Sequence, residues 1–249
     1  MKTLYIIVPC YNEEECLPQT APVFLQKLKQ LIDDSAIGPN SRILLVDDGS
    51  ADSTWKIIRA LHERDSAFAG LRLSPNRGHQ NAVMTGLMTA KELADMTISI
   101  DADLQDDINA MDEMVCKCNE GFHIVCGVRN SRETDQFLKR FTARSYYRLM
   151  NLFGAKIIFD HADYRLMDSV ALEKMSYYHG DDLFLRGLAT RLGLPIATVT
   201  YDRTARVAGE SKYTLSKMMK LAAKGFTCDR VKPMDTPRPP EAYIAEKLL

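Results

Sequence analysis

Short apolar runs alternate with longer segments of helical spacing through the first half of this chain, and that alternation limits its fold more than any other feature. Residues 4–9 (LYIIVP), 42–47 (RILLVD), 70–74 (GLRLS), 96–101 (MTISID) and 123–128 (HIVCGV) read as buried strands. Residues 14–34, 53–65, 78–93 and 107–119 carry the apolar spacing of helices. In the second of these the apolar side is Trp55, Ile58 and Leu61, with Asp52 or Ser53 expected as its cap. Strands joined by helices of this length form a right-handed, mostly parallel central sheet flanked by helices, the α/β class. Such sheets bind ligands at the carboxyl ends of their strands.

After Arg129 the rhythm changes. Residues 137–153 read as a helix with basic and aromatic side chains interleaved, among them Lys139, Arg140, Arg144, Tyr146, Tyr147 and Arg148. A strand at 163–167, helices at 169–178 and 182–192, a strand at 196–201 and an amphipathic helix at 215–225 follow. With 249 residues, the chain reads as one large domain over 1–230 and an extended tail over 231–249 that holds four of the ten prolines. A chain of this size buries roughly 70–75% of its unfolded surface, so its core needs no disulfide or structural metal.

The six cysteines (Cys10, Cys16, Cys116, Cys118, Cys126, Cys228) include no C-x-x-C pair and read as reduced thiols in a cytosolic setting. Lys plus Arg (32) balances Asp plus Glu (33), so no global basic field points to nucleic acid. No stretch approaches the ~20 apolar residues of a membrane-spanning helix.

The chemistry-bearing residues cluster at strand ends. DADLQDD, from Asp101 to Asp107, ends the fourth strand. Carboxylates at i and i+2 share a strand face and repel unless a cation neutralises them. Hard oxygen donors of this kind suit Mg²⁺ or Mn²⁺, which complete their shells with water and substrate phosphates. An acidic loop capping the next helix is the alternative. VDDGS, from Val46 to Ser50, ends the second strand; it supplies turn residues, and its acids also suit hydrogen bonds to a base or ribose. VPCYNEEE, from Val8 to Glu15, ends the first strand and offers the Tyr11 ring beside Asn12 and Glu13. No glycine-rich dinucleotide or Walker loop accompanies these motifs.

Taken together, these motifs resemble the family 2 glycosyltransferases of the GT-A type. The likeness is nearest to the polyprenyl-phosphate sugar transferases, the dolichol-phosphate mannose synthase and bactoprenol glucosyltransferase group. Supporting stretches are LSPNRGHQNAVMTGL (73–87), HADYRLMD (161–168), FLRGL (184–188) and YDRTARVAGESKYTLSKM (201–218). The resemblance implies a Rossmann-like GT-A fold with acceptor-side helices toward the C-terminus. It implies a nucleoside pocket lined by Pro9, Tyr11, Glu13, Val46 and Asp48. Asp101, Ala102, Asp103 and Gln105 would lie at the diphosphate and metal, with Asp103 the foremost ligand. Arg129, Arg206 and Lys212 match cationic phosphate-contacting positions, and a divalent ion with such cations stabilises a leaving diphosphate. Asp163 is implied as the acceptor-side carboxylate, either a general base or the group that orients Arg165 toward an acceptor phosphate. The alternative for this pair is an ion pair that only supports the fold.

Ser211 at a helix start, with Arg206 and Lys212 beside it, reads as an anion site on a closing loop. His79, within NRGHQ, reads as shaping the pocket floor, and Arg77 stands where relatives often carry an aromatic residue. The function implied is a metal-dependent, inverting transfer of a sugar from a nucleotide diphosphate, with a uridine donor favoured over guanosine, to polyprenyl phosphate. The tail is expected to lack the transmembrane anchor that many relatives carry. Access to the cytoplasmic membrane face would then rest on the basic helices at 137–153 and 212–224, and a membrane-anchored partner or a homo-oligomer is a possible association. A soluble hydroxyl acceptor, or a non-catalytic nucleotide-sugar-binding subunit, stays open as an alternative.

Overall fold

The computed structural model describes residues 1–130, 161–178, 183–204, 232–237 and 243–249. The stretches 137–153, 205–231 and 179–182, which carry the expected basic helix, the Arg206–Lys212 motif and the first residue of the helix expected at 182–192, lie outside them.

Among the described residues eight strands form one sheet: β1 (Leu4–Cys10), β2 (Arg42–Asp47), β3 (Phe68–Leu73), β4 (Met96–Ser99), β5 (Ile124–Arg129), β6 (His161–Asp168), β7 (Ile196–Tyr201) and β8 (Ile244–Leu248). Their spatial order is β7-β5-β6-β4-β1-β2-β3-β8. β1 pairs in parallel with β2 and β4, β2 with β3, and β5 with β7. β6 runs antiparallel between β4 and β5, and β8 runs antiparallel along β3. The α/β reading with a mostly parallel sheet therefore holds.

The helices are α1 (Leu17–Asp33), α2 (Thr54–Arg64), α3 (His79–Lys91), α4 (Ala110–Asn119), α5 (Ser169–Ser176) and α6 (Leu185–Ala189). Strand alternation sorts them onto two faces. Leu4, Ile6 and Val8 of β1 pack with Phe24, Leu28, Ile58 and Met114 of α1, α2 and α4. Tyr5 and Ile7 face the other way, into a core with Val83, Met84 and Leu87 of α3 and Leu172 and Met175 of α5.

Helix α3 is buried throughout its body, from Asn81 to Ala90, because it lies directly over the sheet. Gly86 makes that approach possible: a Cβ there would meet Ile7 Cγ2 at 2.5 Å and Val46 Cγ2 at 3.0 Å. Any side chain at 86 would push α3 off β1 and β2 and overpack this face.

Several boundaries move for identifiable reasons. Asp52, not Ser53, caps α2; its Oδ1 accepts the Thr54 N–H at 3.0 Å, while Ser53 makes no side-chain cap. The second helix of the acceptor side shrinks to Leu185–Ala189, closed where Thr190 Oγ1 donates to the Gly187 carbonyl. β4 stops at Ser99 because the chain turns after Ile100, with Leu104 at φ 51°. The tail, expected as an extended segment outside the domain, instead ends in β8 at the sheet edge, so ordered structure runs past residue 230.

Candidate active site

The ends of β1 and β2 are tied to each other before any ligand is considered. The Asp48 N–H donates to the Cys10 carbonyl (2.8 Å), continuing the sheet one residue beyond β2. Asn12, held at φ 52°, donates its N–H to Ser50 Oγ (2.9 Å) and accepts the Ala51 N–H on its own Oδ1 (2.9 Å). Asn tolerates this left-handed conformation better than most side chains. The Glu13 N–H donates to Thr54 Oγ1 (2.8 Å), and Glu14 accepts the Ser53 N–H (2.9 Å). The two loops thus form one rigid wall, with Pro9 and Glu13 half-buried in it, Val46 buried behind it, and Tyr11 the exposed ring above.

Asp48 joins this wall to the loop before α3. Its Oδ1 accepts the Arg77 N–H (2.7 Å) and its Oδ2 the Gly78 N–H (2.8 Å), while the Asn76 amide donates to its carbonyl (2.9 Å). Burial pushes the Asp48 carboxyl above the usual range, and the two N–H donors together with His79 pull against that rise. Gly49 has φ 68°, and a Cβ on it would lie 2.8 Å from Asn76 N, so only glycine lets the two loops meet here.

The DADLQDD segment turns sharply after β4. Asp103 is buried, at 6% exposure, and accepts the Gln105 N–H on Oδ1 (3.1 Å). Ala102 is buried, and its carbonyl faces the Cys16 thiol. Gln105 Oε1 takes a hydrogen bond from Arg203, and its carbonyl accepts the Thr204 N–H (2.9 Å). Its side chain therefore faces the residues that follow β7. Asp106, 2% exposed, is paired with Arg129 through Nε (3.1 Å) and Nη2 (2.9 Å), and Arg129 also reaches the Tyr201 hydroxyl (3.3 Å). Arg129, expected at phosphate, is thus anchored on a carboxylate.

Opposite Asp101 stands a charged cluster that sequence spacing did not reveal. Because β6 is antiparallel to β4, its early residues lie beside β4's carboxyl end, and Ser99 Oγ donates to the Asp163 carbonyl (2.7 Å). Asp163, 9% exposed, receives Arg186 in bidentate fashion, Nε to Oδ1 at 2.9 Å and Nη2 to Oδ2 at 3.0 Å. His79 Nε2 lies 3.4 Å from Asp163 and 3.9 Å from Asp101. Gln80 completes the ring, its Oε1 accepting the Leu185 N–H (2.9 Å). Arg165 points inward at 4% exposure, donates to the Leu185 carbonyl (2.8 Å) and stands 3.8 Å from Asp163. The half-buried arginine beside Asp163 is Arg186, from FLRGL, rather than Arg165.

The electrostatics follow from this packing. Burial raises the Asp163 carboxyl, but Arg186 and His79 together overcome that and hold it well below the usual carboxylate range. Burial lowers His79, yet the Asp163 hydrogen bond and the Asp101 and Asp163 charges lift it to about 9. Asp101 has a side chain 40% exposed at the mouth of the cleft. Enclosure by the protein, with Asp163, Asp106 and Asp103 nearby, raises its carboxyl against the pull of His79. Asp101 and Asp103 are the hard-oxygen donors at this strand end that could hold a divalent cation, each within a mutually repelling acidic group. Among the described residues no three acidic, histidine or cysteine side chains form a ready cage. A site that shares its ion with a substrate diphosphate needs only one or two carboxylates. Arg206 and Lys212 lie outside the described residues.

Comparison with known proteins places this geometry. The glycosyl transferase family 2 pattern matches residues 5–176. The uncharacterized glycosyltransferase YkoT of Bacillus subtilis is 47% identical over 231 residues, covering 93% of this chain and 68% of that protein. The bactoprenol glucosyl transferase of Shigella phage SfX is 34% identical over 224 residues, covering 89% of this chain and 70% of that protein. Among solved structures, glucosyl-3-phosphoglycerate synthase from Mycobacterium tuberculosis, in complex with Mn²⁺, UDP-glucose and phosphoglyceric acid, superposes with a TM-score of 0.63 at 18% identity. That superposition covers 96% of this chain and 90% of that one, and at this identity it speaks for the fold alone. With a family pattern spanning most of the sheet and relatives this similar over most of both lengths, the chain is a glycosyltransferase and belongs to glycosyl transferase family 2.

Proposed function

We propose that this glycosyltransferase moves a sugar from a nucleotide diphosphate, a uridine donor being favoured, to the phosphate of a polyprenyl phosphate, with inversion at the anomeric carbon. The likeness to the bactoprenol glucosyl transferases supports this acceptor class. The observation that carries the reading is the pair of cations on Asp163, Arg186 and His79, facing the acidic end of β4.

The wall built from Asn12, Glu13, Asp48 and the Tyr11 ring receives the nucleoside, and Asp101 and Asp103 would hold Mg²⁺ or Mn²⁺ with the diphosphate. A bound divalent ion supplies charge stabilisation to the leaving diphosphate. The chain's own residues do the rest. Asp163, pinned in its ionised form, is a poor proton acceptor, because a general base works best with a pKa near the operating pH. A phosphate monoester has its second pKa at about 6, so such an acceptor arrives as a nucleophile and asks for no base. Asp163 then acts by position: it fixes Arg186 and His79 so that their charges meet the acceptor phosphate and bring it in line with the anomeric carbon. A hydroxyl acceptor would need the basicity that Asp163 lacks.

Among the described residues no helix is long and apolar enough to cross a membrane. Work on a lipid acceptor would bring the chain to the cytoplasmic membrane face, and the basic stretches of the sequence or an anchored partner are the candidates for that contact. The test is release of nucleoside diphosphate from a panel of nucleotide sugars with Mg²⁺ or Mn²⁺, with and without detergent-dispersed polyprenyl phosphate. Release should require one donor, the metal and the lipid, and should fall at least about 100-fold in Asp103→Asn. Metal-dependent nucleotide binding without lipid-stimulated turnover would sink the polyprenyl acceptor.

A further inference from the structure

We propose that strand β8, with the residue that leads into it, is a positioning element for the nucleotide donor: Tyr243 and Glu246 hold the two loops that wall the nucleoside pocket. The inference rests on the reading of Asp48 as part of that pocket.

An edge strand that only completes a sheet needs nothing beyond its backbone ladder. Tyr243 and Glu246 do more. The Tyr243 ring lies under the Arg77 guanidinium, with Cζ 4.3 Å from the ring centroid, and the Tyr243 carbonyl accepts the Ser74 N–H at 3.2 Å. The Arg77 Nε is buried and, among the described residues, has no hydrogen-bond partner, and the Tyr243 π-face lies against that guanidinium. The main-chain N–H of the same Arg77 donates to Asp48 Oδ1 at 2.7 Å. Tyr243 therefore fixes, through one residue, the loop that closes on the Asp48 carboxylate.

Glu246 reaches the other wall. Its carboxylate accepts Trp55 Nε1 (3.2 Å) and Arg72 Nη1 (3.4 Å), and Arg72 Nε stands 3.6 Å from Asp47 Oδ2. Asp47 has no exposed surface, and burial pushes its carboxyl up while Ser50 and Arg72 draw it down. Its Oδ1 accepts the Ser50 N–H (3.0 Å), and Ser50 Oγ in turn accepts the Asn12 N–H (2.9 Å). The β3–β8 pairing shifts register between Arg72 and Leu73, at the point where Arg72 must aim across the sheet end. Two contacts, one from β8 and one from the residue just before it, thus converge by separate routes on the β1 and β2 loops.

The experiment uses the full chain and titrates UDP and GDP, each with Mn²⁺, by calorimetry, alongside melting curves and donor kinetics. Tyr243→Ala should weaken the tighter-binding nucleotide about 5-fold and raise the donor KM by a similar factor, with kcat unchanged. Tyr243→Phe, which keeps the ring, should bind as the parent does, and Glu246→Gln should weaken binding about 2-fold. A lowered melting temperature with nucleotide affinity unchanged in Tyr243→Ala would mean that β8 only seals the sheet edge, and the inference fails. If Tyr243→Ala does not fold, Arg77→Met, which leaves β8 intact, carries the same expectation. Asp48→Ala separates the two levels: unchanged binding there removes the pocket and this inference together, whereas lost binding beside a neutral Tyr243→Ala removes the inference alone.

Discussion

The two halves of the cleft are built on different physics. On the β1–β2 side, the loops are tied chiefly by main-chain N–H groups donating to uncharged or locally placed acceptors: Asn12 to Ser50, Glu13 to Thr54, Ala51 to Asn12. On the β6 side, order comes from full charges, with Asp163 gripped by Arg186 and His79 and backed by Arg165. Hydrogen bonds of the first kind contribute about 1 kcal/mol each and change little with pH. Buried charges of the second kind stand or fall together, because removing one leaves its partners desolvated and unpaired. The difference teaches that the first wall is a fixed scaffold and the second an electrostatic assembly.

The largest expected effect breaks the assembly. Asp163→Asn removes the carboxylate that Arg186 and His79 share and that Arg165 approaches, and should cost about 3 kcal/mol of stability. For a chain of this length that is a drop of roughly 6–12 °C in Tm, measurable in metal-free protein. A variant that melts within about 1 °C of the parent would show that the cluster is solvated and adds little.

A second test uses pH. His79 sits at about 9 in the folded chain against 6.5 ordinarily, so its contribution to stability is complete below 6.5 and lost as pH climbs toward about 9. Asp163 is held below 3.8, so its contribution is present above that value and lost as pH falls through the lower folded one. The stability difference between the parent and His79→Gln should therefore be widest between about pH 4 and 6.5 and close by about pH 10. A difference that stays constant across that range would remove His79 from the charged cluster.

The smallest expected effect probes the scaffold. Asp52→Ala removes the α2 cap and should cost about 1 kcal/mol, with Asp52→Ser recovering most of it and Ser53→Ala costing nearly nothing. An equal loss in Ser53→Ala would move the cap back to that residue.

What could be read from the sequence divides along the same line. The strands at 42–47 and 196–201 coincide with β2 and β7, because apolar runs bounded by turn residues announce themselves locally. The VDDGS and DADLQDD motifs were legible for the same reason, being strand-end turns whose chemistry is written in adjacent residues. The Asp163 cluster was not. Its members come from three separate stretches around residues 79, 163 and 186, and only the antiparallel entry of β6 brings them together. Asp163 and Arg165 share a strand face two residues apart, which makes them look like natural partners. Yet Arg165 turns to the Leu185 carbonyl, and α6 delivers Arg186 in its place. β8 was hidden behind proline-rich sequence, since the polar residues of IAEKL match an edge strand with little apolar signal of its own.

The antiparallel entry of β6 has a consequence for how such an enzyme can diversify. The residues of the Asp163 cluster lie on β6 and α6, between 161 and 189, with His79 lent from the opposite half. The loops that wall the other half come from residues before 79. On the proposed reading, substitutions between 161 and 189 would bear on the acceptor, while those in the loops before 79 would bear on the donor. His79 lies 3.9 Å from Asp101 and 3.4 Å from Asp163, so a change there would be felt at β4 and at β6 together.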